Sequence, residues 1–272
     1  MSGTPAVAAI KRPDGAVAYD VAGEGPLIVC VPGLGELRSS YRFIAPMLRS
    51  GGYRVALMDL RGHGDSEAGF RSYGFEATAS DVRALIEELG GPAVIIGNSL
   101  AAASAVLVAA VRPDLVSGLV LLGPYVDDSD APWLRRALYK ACTAPPWGRA
   151  FWNFYQSRLY AGRKPADFAE YRAAVNAALK KPGHARAFAK TSGTQPRVAT
   201  RALTSLQAPV LVVMGELNPD SLGPPSRAEW IAGQVGGQAV IVPEAGHYPQ
   251  AQRPDLVGPA IKEFADGLHG RA

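Results

Sequence analysis

Gly97-Asn98-Ser99-Leu100-Ala101 is the stretch on which the reading of this chain turns. It follows an apolar run, Ala93-Val94-Ile95-Ile96, and precedes another, Ala101-Ala102-Ala103-Ser104-Ala105-Val106-Leu107-Val108. The first run is short and wholly apolar, the pattern of a buried strand; the second is an Ala-rich helical pattern. A serine at such a junction stands on a tight turn, held out where a substrate can reach it. It also sits at a helix N-terminus, whose free N–H groups favour nearby negative charge. Taken alone, the stretch reads equally well as an ordinary N-cap serine.

The surrounding pattern decides between the two. Strand-like runs near 16–21, 26–31, 54–59, 93–97, 118–123, 209–215 and 238–242 alternate with helical patterns near 39–50, 76–89, 100–112, 226–235 and 254–268. Short apolar strands separated by helices predict an α/β fold, a mostly parallel, doubly wound sheet covered on both faces. Ligands bind such sheets beyond the carboxyl ends of the strands. Ser99, Leu34, the 215–220 loop and His247 each follow an apparent strand, so all four fall on that edge. The alternation breaks between residues 125 and 204. Helical patterns recur there around 131–143, 149–161, 166–180 and 183–190, with aromatics that include Trp133, Tyr139, Trp147, Phe151, Trp152, Tyr155 and Tyr171.

Composition narrows the class. The 272 residues suffice for one large core or a core with an insertion, and 48% hydrophobic with 19% charged residues is ordinary for a globular chain. A net charge of +4 without a Lys/Arg block argues against a nucleic-acid partner. Cys30 and Cys142 have neither metal-ligand nor disulfide spacing and read as packed thiols in a reducing compartment. Met1–Val7 does not read as a signal peptide, and no apolar run reaches the ~18 residues of a membrane span. The expectations are a cytoplasmic protein with no membrane partner, a monomer or homodimer, and, from the high Ala, Gly and Arg content, a bacterial source. No dinucleotide fingerprint and no metal spacing appears, so no cofactor and no metal are expected.

The chain resembles the α/β-hydrolase family from about residue 16 to the end. The resemblance rests on the elbow G-x-S-x-G, with Ala101 in place of the second glycine, and on Pro26–Val31 followed by Pro32-Gly33-Leu34-Gly35. It rests also on Arg54–Asp59 followed by Leu60-Arg61-Gly62-His63-Gly64-Asp65-Ser66, on Val210–Gly215, and on Ala245-Gly246-His247-Tyr248-Pro249. It implies a hydrolase core in two parts, 1–124 and 205–272, with 125–204 inserted after the sixth strand as a helical cap. It implies Ser99 as nucleophile and His247 as general base and acid, while His63 has a structural role, His184 lies in the cap and His269 near the C-terminus. The oxyanion donors are then the backbone N–H groups of Leu34 and Leu100, with Pro32 standing where many relatives have histidine.

The third member departs from the family. An acid is expected three residues after Gly215, and that position holds Asn218. An amide cannot stabilise an imidazolium as a carboxylate does; the same change in a serine protease costs about 10⁴ in kcat. Asp220, Glu216, an acid after the sixth strand (Asp127 or Asp128), and Asn218 itself compete for the role. Asp220 reads as the best substitute carboxylate and equally as a loop cap; Asp127 and Asp128 read as a solvated acidic turn.

Ser99 at the elbow argues against haloalkane dehalogenase and epoxide hydrolase chemistry, which use aspartate there. The expected reaction is cleavage of a small-molecule, apolar ester-like substrate, an ester or lactone of small to medium size. Two alternatives stand beside it. Asn98 beside the serine resembles the Gly-Asn-Ser elbow of C–C bond hydrolases, and Asn218 suits a ligand-binding relative with weak turnover.

Overall fold

The computed structural model describes residues 6–127, 133–221 and 223–270. Asp128 and the side chain of His269 lie outside the described residues. In chain order the elements are β1 (Ala8–Arg12), β2 (Gly15–Ala22), β3 (Leu27–Val31), α1 (Ile44–Ser50), β4 (Arg54–Met58), α2 (Phe75–Leu89), β5 (Ala93–Asn98), α3 (Leu100–Val111) and β6 (Val116–Leu122). There follow α4 (Trp133–Thr143), α5 (Gly148–Leu159), α6 (Phe168–Leu179), α7 (His184–Ser192), α8 (Arg197–Ala202), β7 (Val210–Gly215), α9 (Pro224–Val235), β8 (Gln238–Val242), α10 (Pro249–Gln252) and α11 (Pro254–His269).

The strands form one eight-stranded sheet in the order β1-β2-β4-β3-β5-β6-β7-β8. β1 and β2 pair antiparallel, as do β2 and β4; every other pairing is parallel. Period-two alternation sends Val29, Val31, Ile95, Leu119, Leu121 and Val212 to one face, beneath α2, α3 and α9. Ile28, Cys30, Val94, Ile96, Val120 and Val213 face the other side, beneath α1 and α11. Burial of such a side chain contributes about 1.5–3 kcal/mol, so the central strands are the rigid part of the molecule. α3 lies between sheet and neighbouring helices with every residue from Leu100 to Ala109 buried. A helix this apolar, with Ser104 its one polar residue, is stable only in such a place.

Two sequence expectations change. The helix expected over 39–50 is divided into a single 3-10 turn at Arg38–Tyr41 and then α1. Pro46 accounts for the break: it lacks an N–H and its ring would meet the carbonyl of residue 42 in a longer helix, whereas in the first turn of α1 that N–H is not needed. β1 was not anticipated. Only Ile10 of its five residues is buried, so it carries little apolar signal, and it exists as an edge strand paired to β2.

Between β6 and β7 the described residues are helical, as expected, with α8 in addition. Trp152, Leu159, Tyr160, Tyr171, Val175 and Phe188 of this segment form a third apolar cluster with Tyr248 and Ala251, which follow β8. The helical segment is thereby anchored over the carboxyl edge of the sheet. Among the described residues no helix is long and apolar enough to cross a membrane, and no group of three or more His, Cys, Asp and Glu side chains is placed to hold a metal ion.

Candidate active site

β5 is buried along its whole length between β3 and β6. It delivers Ser99 to the sheet edge at φ 54° and ψ −115°. A left-handed backbone at a non-glycine residue costs on the order of 1–3 kcal/mol and persists only where its surroundings over-determine it. Here the Ser99 N–H donates to Leu122 O at 2.9 Å, and the Ser99 carbonyl accepts from Ala102 N at 3.1 Å and Tyr125 N at 3.3 Å. The turn closes tightly enough that a Cβ on Gly97 would stand 2.4 Å from the Ala101 carbonyl oxygen. Gly97 is the glycine the turn requires, and Ala101, buried on α3, is tolerated. Ser99 itself is partly exposed while Asn98 and Leu100 are buried.

The loop after β3 runs alongside. A Cβ on Gly33 would lie 2.8 Å from Asn98 Oδ1 and 3.1 Å from the Ser99 Cβ, so only glycine lets the loop approach the serine this closely. The backbone N–H groups of Leu34 and Leu100 have no partner among the described residues. For Leu100 this is the ordinary state of a first helical residue. The two candidate oxyanion donors therefore flank Ser99 on the Leu34 turn and on α3.

His247 is 4% exposed. Its N–H donates to Leu159 O at 2.8 Å, which fixes it to the end of α5. Its carbonyl accepts from Asn98 Nδ2 at 3.2 Å, and the same amide donates to Leu122 O at 3.0 Å. Asn98 thus ties the serine turn to the histidine loop from beneath, through a fully buried side chain. The Ser99 hydroxyl makes no hydrogen bond among the described residues.

The acid loop is resolved into two roles. Asn218 Oδ1 lies 3.0 Å from His247 Nδ1. The same oxygen accepts the Asp220 backbone N–H at 3.2 Å, while Asn218 Nδ2 donates to Met214 Sδ at 3.1 Å. A backbone N–H can only donate, so it orients the amide with oxygen toward the histidine. His247 Nδ1 then carries the proton and Nε2 keeps its lone pair. Asp220 Oδ2 stands 4.0 Å from His247 Nδ1, and Asp220 Oδ1 accepts a short hydrogen bond from the Tyr155 hydroxyl of α5. Burial holds the His247 imidazole below its ordinary pKa, and the Asp220 carboxylate opposes that fall.

The remaining candidates are elsewhere. Glu216 is exposed, with its N–H on Val242 O at 2.9 Å. Asp127 is not a solvated turn residue: its carboxylate is largely buried and pairs with Arg227 of α9 at 2.8 Å. Buried His63 faces the Arg61 carbonyl through Nδ1 at 2.9 Å, and burial lowers its pKa to about 4. His184 is buried at the start of α7. Tyr155 and Asn98 acquire positions that sequence reasoning did not give them. Tyr155 is one of many aromatics in its segment, and Asn98 beside the serine carried no sign of facing inward.

Several known proteins are similar to this chain. A 2-(acetamidomethylene)succinate hydrolase of Mesorhizobium japonicum is 29% identical over 261 residues, 90% of this chain and 89% of that protein. A pimeloyl-[acyl-carrier protein] methyl ester esterase of Neisseria meningitidis is 25% identical over 88% of this chain and 93% of its own. The solved structure of a thermophilic esterase from Thermogutta terrifontis superposes with a TM-score of 0.79 at 24% identity, over 98% of this chain and all of that one, a likeness of fold. The sequence model of the alpha/beta hydrolase family matches residues 28–260, and this chain belongs to that family.

Proposed function

We propose that this chain is a serine hydrolase that cleaves an ester or lactone of a small to medium apolar acyl group through an acyl-enzyme on Ser99. The observation that carries the reading is the strained serine at φ 54° joined, through Asn98, to a buried histidine whose Nδ1 meets an oxygen. In this reading His247 Nε2 takes the Ser99 proton as Oγ attacks the substrate carbonyl. The oxyanion accepts hydrogen bonds from the Leu34 and Leu100 N–H groups, one such donor being worth roughly 3–4 kcal/mol in the transition state. His247 then protonates the leaving alcohol, and water repeats the sequence to release the acid. Catalytic hydrogen bonds often tighten only in the substrate complex, which accommodates the unpaired Ser99 hydroxyl.

Asn218 keeps His247 in the productive tautomer. Asp220 supplies negative charge to the imidazolium from 4.0 Å, without direct contact. The helical segment 125–204 acts as a cap, and its aromatic side chains supply the apolar pocket wall. Asn98 gives the C–C hydrolase alternative no support, since its amide is spent on two backbone carbonyls inside the protein. The amide at 218 favours the ligand-binding alternative with slow turnover. A fluorophosphonate probe decides between the readings. Labelling at Ser99 within minutes is expected; folded protein that stays unlabelled overturns the hydrolase reading.

A further inference from the structure

Glu36 follows the Leu34 turn directly and is completely buried. Its carboxylate accepts two side-chain hydrogen bonds from the helical segment. Gln156 of α5 donates to Oε1 at 2.6 Å, and the Tyr171 hydroxyl of α6 donates to Oε2 at 2.7 Å. Tyr248, one residue beyond His247, packs with Tyr160 and Tyr171 in one apolar cluster beside it. The turn itself is closed by the Glu36 N–H on the Gly33 carbonyl at 3.2 Å. Trp152 Nε1 donates to Gly35 O at 3.2 Å, and the Leu37 N–H donates to the Tyr171 hydroxyl at 3.3 Å. The nearest cation, Arg42, is bound in a fork to Asp167 at 2.6 Å and stacks on the Tyr171 ring. Among the described residues Glu36 therefore has no ion-pair partner of its own. A buried carboxylate without one is costly, and an apolar residue would fill the space at lower cost in stability.

We propose that Glu36 is a positioning residue for the reaction: its carboxylate clamps the Gly33–Leu37 turn to the helical segment, and so fixes the Leu34 N–H beside Ser99. This rests on the serine hydrolase reading of Ser99 and Leu34. One side chain joins the oxyanion turn to α5 and α6, more than a hundred residues away in sequence. Burial pushes the Glu36 carboxyl up to about 7, against the hydrogen bonds from Tyr171 and Gln156 and the charge of Arg42. The ionised form accepts from every donor around it. The protonated form must turn one oxygen into a donor and lose one of them, so the clamp is tighter at pH 8 than at pH 6.

The test uses the full chain, Glu36→Gln and Glu36→Leu, with two readouts. The first is amide hydrogen exchange of residues 33–37, corrected for intrinsic rate. The second is kcat and KM for a p-nitrophenyl ester. Glu36→Leu is expected to speed exchange of the turn and to lower kcat by about 10²-fold, the effect of one oxyanion donor, with KM within about three-fold. Glu36→Gln keeps the oxygen that faces Gln156 and recovers a part of kcat. It also abolishes the difference in turn exchange between pH 6 and pH 8 that the wild type shows. Wild-type kcat in folded Glu36→Leu overturns the proposal. If that variant does not fold, a Glu36→Gln protein with the wild-type pH dependence of exchange overturns it instead. A wild type that neither turns over the ester nor labels at Ser99 overturns the hydrolase reading itself, a separate outcome from active wild type with an indifferent Glu36.

Discussion

The serine turn and the 216–220 loop both leave parallel strands on one edge of the sheet, and they are held by different means. At Ser99 the backbone does nearly all the positioning: a left-handed φ, three main-chain hydrogen bonds, and a glycine at 97 that lets strand and helix close. The side chains that matter there are few: the nucleophile, the missing Cβ of Gly97, and the Asn98 amide that ties the turn to the histidine loop. In the 216–220 loop, position depends on side chains. Asn218 is oriented by one N–H and one sulfur, and Asp220 is held by a hydroxyl that belongs to α5. A backbone-built element survives substitution around it. A side-chain-built element changes its chemistry with a single residue, and this one sets an amide in contact with His247 and a carboxylate 4.0 Å away.

The largest break in the comparison is at the nucleophile. Ser99→Ala should lower kcat by about 10⁶ and remove fluorophosphonate labelling, measured on protein of unchanged fold. Next comes the approach of the oxyanion turn. Gly33→Ala places a Cβ 2.8 Å from Asn98 Oδ1, which forces the turn away from Ser99. The expected cost is about 10² in kcat with KM little altered, read from steady-state ester hydrolysis.

On the side-chain-built half the effects are smaller. Asp220→Asn should reduce kcat/KM by about ten-fold, because the charge it removes acts from 4.0 Å without a direct bond. It should also move the pH profile in a stated direction. The base is neutral imidazole, so kcat/KM falls as pH drops through the His247 pKa. Burial already sets that limb below the ordinary imidazole value of about 6.5. Removing the Asp220 charge, which raises the pKa, moves the limb to still lower pH. Tyr155→Phe frees the Asp220 carboxylate toward solvent and should cost about three-fold in kcat, the scale of one ordinary hydrogen bond. The smallest effect is on stability. Ser99→Gly relieves the left-handed strain and should raise stability by about 1 kcal/mol in urea unfolding while it abolishes turnover.

The same division explains what could be read before the structure. The sheet, the elbow and the position of His247 were legible because apolar runs and small-residue turns are local signals. The loop after β3 was legible as far as Gly35, and the reading stopped one residue short of Glu36, whose partners lie more than a hundred residues away. The segment between β6 and β7 was legible as helices, yet nothing in its aromatic pattern separates Tyr155, which reaches Asp220, from Tyr139, which packs edge-on to its ring. Asp127 looked solvated because Arg227 lies 100 residues further on. β1 escaped because a five-residue edge strand with one buried side chain has almost no hydrophobic period.

On the proposed reading, Asn218 already holds His247 in the productive tautomer and lacks only the charge. The most direct test is the kcat/KM pH profile of Asn218→Asp beside the wild type. A carboxylate at 3.0 Å from Nδ1 should raise kcat/KM by about 10–100-fold and shift the acid limb to higher pH. The gain stays below the 10⁴ of the protease case because no tautomer has to be corrected. Unchanged or lower kcat/KM in folded Asn218→Asp, with the limb in its wild-type place, would contradict the claim.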